Sequence, residues 1–373
     1  MRYGYFMMPM HPPGSFLADT LDLDLRQIER LDTLGYEEAW VGEHFTAEWE
    51  NIPSPEIFIA AALQRTSRIK LGTGVTCLPN HNPFHLAHRI AQLDHMARGR
   101  FLFGIGSGGF IGDFQVVDID PRSGKQRQVT VDVIDAVLKL WEDPTPGKYA
   151  KDDWKFQIPE PDLEIAKHVW ARPYSSPHPP IAVAGVSEKS DTLVMAGERG
   201  WIPMSINMVP TRVLKTHWQG VEEGARKAGR TPSRNEWRVA RTIHVAETTA
   251  QARREALEGA PGRDFGQYFL PMMKKTGRIN GLKVDPQMAD SDITLDYLAE
   301  NIWIVGDPDE VARQLRTIYE DVGGFGAVLA LAADWSGDER TWDRSMTLLA
   351  EEVMPKLADL TGEPALAGAA AAG

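Results

Sequence analysis

Apolar positions along this chain alternate between short runs and helical spacing. The run Arg2-Tyr3-Gly4-Tyr5-Phe6-Met7 reads as a first strand. Leu25, Ile28, Leu31 and Leu34 then recur at helical spacing before Gly35, so 24–34 reads as a helix with a glycine stop. The same alternation predicts strands over 39–42, 69–75, 100–105, 180–184, 201–205, 237–245 and 325–331. Helices are predicted between them over 55–65, 82–96, 129–141, 191–199, 211–228, 249–258 and 307–319, and 342–357 closes the pattern. Asp307 suits a cap and Pro308 the first turn of its helix. Eight strands with helices between them predict an α/β fold, a parallel (β/α)8 TIM barrel. Residues 301–305 are also strand-like, and an open doubly wound sheet is the alternative architecture.

Two stretches exceed a minimal barrel. Residues 143–179 are rich in Pro, Trp and charge, with a hairpin-like middle at 148–157. Residues 259–293 carry aromatic and basic side chains and few periodic apolar positions. Excursions of this length serve as lids or interface elements. The Ala/Gly-rich segment 362–373 has nothing to bury and reads as a flexible tail. The expected organisation is one barrel domain over 1–361 with insertions near 143–179 and 259–293.

In such a barrel the chemistry sits at the carboxyl ends of the strands, where the strand-to-helix loops converge. Glu43-His44-Phe45-Thr46 falls there, after the second strand. His44 titrates near neutrality and so suits acid–base work; the bland alternative is a histidine that fixes a neighbouring loop. The same edge collects Gly72-Thr73-Gly74-Val75-Thr76, Gly104-Ile105-Gly106-Ser107-Gly108-Gly109 and Ala184-Gly185-Val186-Ser187. One histidine beside three glycine-rich strand ends suits a large flat or phosphorylated ligand. The G-x-G at 104–106 sits at the fourth strand and no helix opens promptly over 110–126, which argues against a dinucleotide fingerprint. Ser187 and Ser190 precede a predicted helix, where backbone N–H groups attract phosphate; ordinary serine capping is the plainer reading. His81, His85, His88 and His95 lack a zinc-helix pattern and a carboxylate partner set, so no metal is expected. Trp49, Trp335, Phe45 and Phe110 follow strand ends and suit either an apolar pocket or loop anchors.

Composition narrows the class. A chain of 373 residues with 43% hydrophobic and 25% charged residues is ordinary for a globular protein. A formal net charge of -12 disfavours nucleic acid and anionic membrane as general partners. No run of 18 apolar residues is present, and the N-terminus reads as a strand and not as a signal peptide. A lone cysteine, Cys77, allows no internal disulfide and points to the reducing cytoplasm.

Taken together the residues resemble the bacterial luciferase-like, flavin-dependent barrel monooxygenases. The carriers are Phe6-Met7-Met8, Glu43-His44, Gly72-Thr73-Gly74 with Leu78-Pro79, Leu93-Asp94-His95-Met96, Gly104-Ile105-Gly106, Ala196-Gly197-Glu198-Arg199 and Val305-Gly306-Asp307-Pro308. Trp49-Glu50-Asn51-Ile52-Pro53-Ser54-Pro55-Glu56 and Gly323-Gly324-Phe325-Gly326 look most like the diketocamphane and limonene monooxygenase types. The resemblance implies a homodimer that takes reduced FMN from a separate flavin reductase. It implies a two-component reaction in which O2 forms a flavin C4a-peroxide that oxygenates a small apolar organic substrate, as in Baeyer–Villiger ketone oxidation. It places His44 on the substrate side of the flavin. It gives Phe6, Thr73, Gly74, Val75, Ser107, Gly108, Gly185, Val186, Ser187 and Ser190 to the cofactor, with a non-proline cis bond at Gly74–Val75. Luciferase has an arginine for the phosphate where this chain has Ser107, which leaves Lys189 as the candidate cation. Rival readings are an F420-dependent oxidoreductase and a non-catalytic flavin-binding protein of the same fold.

Overall fold

The structure is a computed structural model and describes residues 1–206 and 209–362. Its elements run β1 (Arg2–Met7), α1 (Leu17–Leu34), β2 (Glu38–Val41), α2 (Pro55–Leu63), β3 (Lys70–Thr73), β4 (Thr76–Cys77), α3 (Pro83–Ala97) and β5 (Phe101–Gly106). Next come α4 (Ile111–Val116), α5 (Lys125–Glu142), β6 (Gly147–Lys151), β7 (Trp154–Ile158), β8 (Ile181–Gly185), α6 (Asp191–Arg199), β9 (Ile202–Ser205) and α7 (Thr211–Lys227). The chain continues through β10 (Arg238–Arg241), β11 (Ile243–Val245), α8 (Thr249–Glu258), α9 (Ala260–Asp264), α10 (Leu270–Lys275) and α11 (Leu295–Asn301). Last are β12 (Ile304–Gly306), α12 (Pro308–Val322), β13 (Ala327–Leu331) and α13 (Glu339–Leu348).

The strands run in the order β3-β2-β1-β13-β10-β9-β8-β5, all parallel, and pairing of β3 with β5 closes the ring. The expected eight-stranded barrel is therefore what forms. Strand alternation divides the core in two. Phe6, Trp40, Leu102, Ala182, Met204, Ala240 and Leu329 pack inside the ring. Their neighbours Tyr5, Val41, Phe103, Val183, Val239 and Val328 pack between ring and helices. The interior also holds charge: Arg238 bridges Glu38 at 3.2 Å, and the Trp40 indole N–H donates to Glu38 at 3.0 Å. Gly197 of the Ala-Gly-Glu-Arg run has a steric reason, because a Cβ there would stand 2.0 Å from the Val221 carbonyl oxygen. Gly224 answers it with 1.8 Å to the Val194 oxygen, so α6 and α7 touch backbone to backbone.

Several expectations need correction. The long strand over 237–245 is two: β10 stays in the barrel, whereas β11 pairs with β12 in a separate two-stranded sheet. The strand-like run near 301–305 is that second partner, β12, and not a barrel strand. A short helix, α4, does open within 110–126. Residues 259–293 are largely helical, from α9 through a π-helical turn at Phe265–Phe269 into α10. The hairpin expected at 148–157 is present as β6 and β7. Asp307 caps α12, accepting from the Glu310 N–H at 3.0 Å. Apart from Gly362, the segment expected to be a flexible tail lies outside the described residues.

Candidate active site

His44 stands just past β2 at the carboxyl rim of the barrel, its side chain 17% exposed. Its Nδ1 is 2.8 Å from Asp113 Oδ2, and its Nε2 is 3.4 Å from Glu50 Oε2. Asp113 belongs to α4, and its second oxygen accepts from the N–H groups of Phe45 and Thr46 and the Thr46 hydroxyl at 2.6–3.1 Å. Burial opposes its charge, but the His44 hydrogen bond, the Thr46 hydroxyl, the His44 charge and the Thr46 N–H together hold the Asp113 carboxyl below its usual range. Glu50 is fixed by a backbone bridge to Met10 and by the His11 N–H to the Trp49 carbonyl at 2.8 Å. Burial works against charge on His44, but the Glu50 charge and the Asp113 hydrogen bond exceed it and lift the pKa to about 9. The ring is thus an imidazolium at neutral pH, hydrogen-bonded to Asp113 at Nδ1, ion-paired with Glu50 at Nε2 and touched edge-on by Phe110 at 5.7 Å.

Glu43, beside it, has a different task. It accepts from His81 Nε2 at 2.9 Å and Asn80 Nδ2 at 3.2 Å, and His81 Nδ1 in turn accepts from Arg89. It anchors the next loop and does not orient His44. Of the other histidines, His88 bonds the Phe84 carbonyl and His95 the Arg172 carbonyl.

The glycine-rich strand ends crowd around this rim. The Gly74–Val75 peptide is cis, as the resemblance implied. A Cβ on Gly74 would meet Trp40 Cβ at 2.8 Å and the Phe6 ring at 3.2 Å. A Cβ on Gly106 would meet Val75 at 2.5 Å, so Phe6, Gly74, Val75 and the end of β5 share one wall. Cys77 Sγ links that wall to the His44 loop, lying 3.9 Å from the Glu43 carbonyl and 3.7 Å from a Cβ placed on Gly108. Thr73 is fully buried and donates its hydroxyl to the Gly104 carbonyl at 2.7 Å, which commits that side chain to the barrel wall. The hydroxyls of Ser107 and Thr130 stand 3.0 Å apart. Thr76 Oγ1 is buried at the rim with no partner.

Across the rim, Gly185 ends β8 and Val186, Ser187 and Lys189 are exposed. Ser190 precedes α6 but makes no capping bond; its hydroxyl meets Thr192 Oγ1 at 2.8 Å. The Leu193 N–H donates to the Ser190 carbonyl at 3.0 Å, and the Asp191 and Thr192 N–H groups, without a Ser190 side-chain cap, suit an anion. The loop is held from behind. His217 Nε2 lies 3.0 Å from the Ser187 carbonyl, and its Nδ1 lies 2.8 Å from Ser205 Oγ, which accepts from the Trp237 indole N–H at 2.9 Å. Burial pushes the His217 pKa down to about 4, so the ring is neutral and donates through Nε2. A phosphate-suited loop and a rim hydroxyl without a partner among the described residues fit a phosphorylated ligand, whereas Gly74 and Gly106 are required by packing against Trp40, Phe6 and Val75.

Segment 259–293 crosses this mouth. The Tyr268 hydroxyl donates to Glu50 Oε1 at 2.7 Å, and Tyr268 stacks on Trp49 with ring centroids 5.5 Å apart. Arg278 donates to the Gly109 carbonyl at 2.6 Å, and Arg212 reaches the Lys283 carbonyl at 3.0 Å. Trp335 packs away from the mouth, stacked on His244 at 5.4 Å, as a loop anchor. Sequence reasoning missed Asp113, Tyr268, His217 and Arg278; Glu50 was visible only inside a motif.

Among the described residues no helix is long and apolar enough to cross a membrane. A family model for the luciferase-like monooxygenases matches residues 1–324. The chain is 35% identical to 4-hydroxyprotoasukamycin monooxygenase of Streptomyces nodosus subsp. asukaensis, over 95% of this chain and 92% of that one. It is 34% identical to limonene 1,2-monooxygenase of Rhodococcus erythropolis, over 95% and 86%. Its fold superposes with a TM-score of 0.88, at 31% identity and over 95% and 98% of the two chains, on the oxygenating constituent of 3,6-diketocamphane monooxygenase of Pseudomonas putida, a type II Baeyer–Villiger monooxygenase in complex with FMN. The barrel, its rim and these likenesses agree, and the chain belongs to the luciferase-like monooxygenase family.

Proposed function

We propose that this protein binds reduced FMN at the barrel rim and uses O2 to oxygenate a small apolar organic substrate, a ketone in a Baeyer–Villiger-type reaction being the best-supported case. The observation that carries the reading is His44, an imidazolium held between Asp113 and Glu50 beside the crowded ends of β3 and β5. Reduced FMN, when bound, supplies the activation of O2. Phe6, Gly74, Val75 and Gly108 would face its ring, and Gly185, Val186, Ser187 and the start of α6 its phosphate, with Ser107, Ser190 and Thr73 as the supporting wall. Lys189, exposed in that loop, and Arg278, seated on Gly109, are the cations at hand.

The chain's own groups then divide the work. Asp113 keeps the proton on His44 Nδ1 and fixes the ring plane. That leaves Nε2–H as the donor for an oxygen that becomes negative on the substrate. Glu50 faces Nε2 as an ion pair at 3.4 Å and favours the charged ring that would donate to a substrate oxygen. Phe110, Trp49 and the segment carrying Tyr268 exclude water from the space around the ring.

A separate flavin reductase, a homodimer and a cytoplasmic location complete the proposal, as does a single barrel domain over 1–361. Exposed Ile57 on α2 and Met96 on α3 support a dimer face, and the lone Cys77 supports a reducing compartment. The test is an anaerobic titration with reduced FMN followed by oxygen uptake with a bicyclic ketone. Stoichiometric binding and ketone-dependent product are expected. Hydride transfer to F420 without oxygen uptake would refute the reading.

A further inference from the structure

Among the described residues the buried side chain of Arg241 has no counter-charge. It is the last residue of β10, and strand alternation puts it with Val239 on the helix side, opposite Arg238 and Ala240. Arg238 is paired with Glu38 and Glu236. Arg241 is as buried, at 2% exposed, yet among the described residues its side chain makes one hydrogen bond, from Nη1 to the Ala240 carbonyl at 3.1 Å. Burial alone pushes its pKa down to about 10. A guanidinium stays charged under those conditions and is costly to bury without an anion.

Arg241 lines a cavity of about 240 Å³ bounded by α7, α11 and α12. The floor is Val209, Pro210, Ile302 and Trp303, all buried; the mouth is formed by exposed Asn301, Arg313 and Thr317. The mouth carboxylates have partners of their own, Glu310 with Arg313 at 2.6 Å and Glu300 with Arg253 at 2.9 Å. The Trp303 indole N–H, on a residue of the same wall, is buried with no partner. The space would hold roughly eight waters at bulk density.

We propose that this cavity, on the helix side of the barrel at the carboxyl end of β10, is a binding site for a small organic monocarboxylate, independent of the function proposed above. The guanidinium fork takes the carboxylate with parallel N–H donors. Val209, Pro210 and Ile302 receive a short apolar body. Glu300 and Glu310 at the mouth disfavour a dianion such as phosphate.

The test uses the full chain loaded with FMN and takes benzoate as the probe, with benzyl alcohol and inorganic phosphate beside it. Calorimetric titration should show one saturable benzoate site and a rise in melting temperature, with the alcohol and phosphate at least about tenfold weaker. Arg241→Gln should weaken benzoate at least about tenfold and leave FMN affinity unchanged. Thr317→Trp, a change at the exposed mouth, should block benzoate with the fold intact, and it decides the matter if Arg241→Gln does not fold. Benzoate binding that survives both substitutions, or no saturable binding to the parent protein, overturns the site. Phosphate binding as tightly as benzoate overturns the ligand class.

Discussion

The Tyr268 hydroxyl donates to Glu50 Oε1 at 2.7 Å and so ties the segment over the barrel mouth to the loop that carries His44. Glu50 thus has one oxygen on the covering segment and the other on the imidazolium. Tyr268→Phe leaves that buried oxygen without its donor, at a cost of about 1–3 kcal/mol in stability. The expected outcome is a lower melting temperature and a larger share of reducing equivalents lost as hydrogen peroxide, read from the peroxide-to-product ratio. An unchanged ratio would separate the segment from the chemistry.

Asp113 acts through His44. In the parent protein the imidazolium persists until pH rises through about 9, so coupled oxidation should decline along that limb. Asp113→Asn removes one of the three carboxylates that raise the pKa, Glu50 and Glu43 being the others, and the limb should move towards neutral pH. Product formation at neutral pH should fall by about ten- to a hundredfold, in line with loss of a charged hydrogen bond. The pH–rate profile is the readout; a limb that stays in place would show that Asp113 only shapes the loop.

Much of this was legible in the chain, and the parts that were not share a cause. Most of the barrel strands could be read because they are short and apolar, with a helix of clear period before the next barrel strand. α6 and α8 lie where their periodicity put them. Asp113 escaped because α4 has six residues, too few to show a period. Tyr268 escaped because the π-helical turn at Phe265–Phe269 shifts the apolar positions off a 3.6-residue repeat. The break at Thr242 escaped because apolar alternation continues across it while the pairing partner changes from β13 to β12. His217 carries no signal of its own within the predicted helix over 211–228, and only the fold brings it to the Ser187 carbonyl.

His217→Phe should weaken reduced-FMN binding by about fivefold, the loss of one net hydrogen bond to the phosphate loop. Turnover at saturating flavin should stay close to the parent value, because His217 lies behind the loop. The bond needs a neutral ring, which its depressed pKa of about 4 secures throughout the neutral range. Fluorescence titration at pH 7 and at saturating flavin separates the two effects.

Alkaline pH should loosen the fold. His11 sits between Asp24 at 3.2 Å and Asp334 at 3.0 Å; burial opposes its charge, but both carboxylates lift its pKa to about 9. His44 is raised to the same region. For a raised pKa the stabilisation is complete below the unfolded value of about 6.5 and is lost as pH climbs through about 9. Each site contributes at most on the order of 3 kcal/mol. Urea unfolding on either side of that window should show the drop, and His11→Gln should reduce it to the His44 share. Equal stability at both ends would contradict the charged state of both rings.

The central claim is that His44 governs oxygen transfer without governing cofactor binding. Its most direct measurement is a single turnover: reduced FMN bound anaerobically to parent and to His44→Ala protein, each mixed with O2 and a bicyclic ketone, with lactone and hydrogen peroxide counted per flavin. The account predicts equal flavin binding, lactone from the parent, and a loss of about a hundredfold or more in lactone formation with peroxide in its place for the variant. Undiminished lactone from His44→Ala would contradict it.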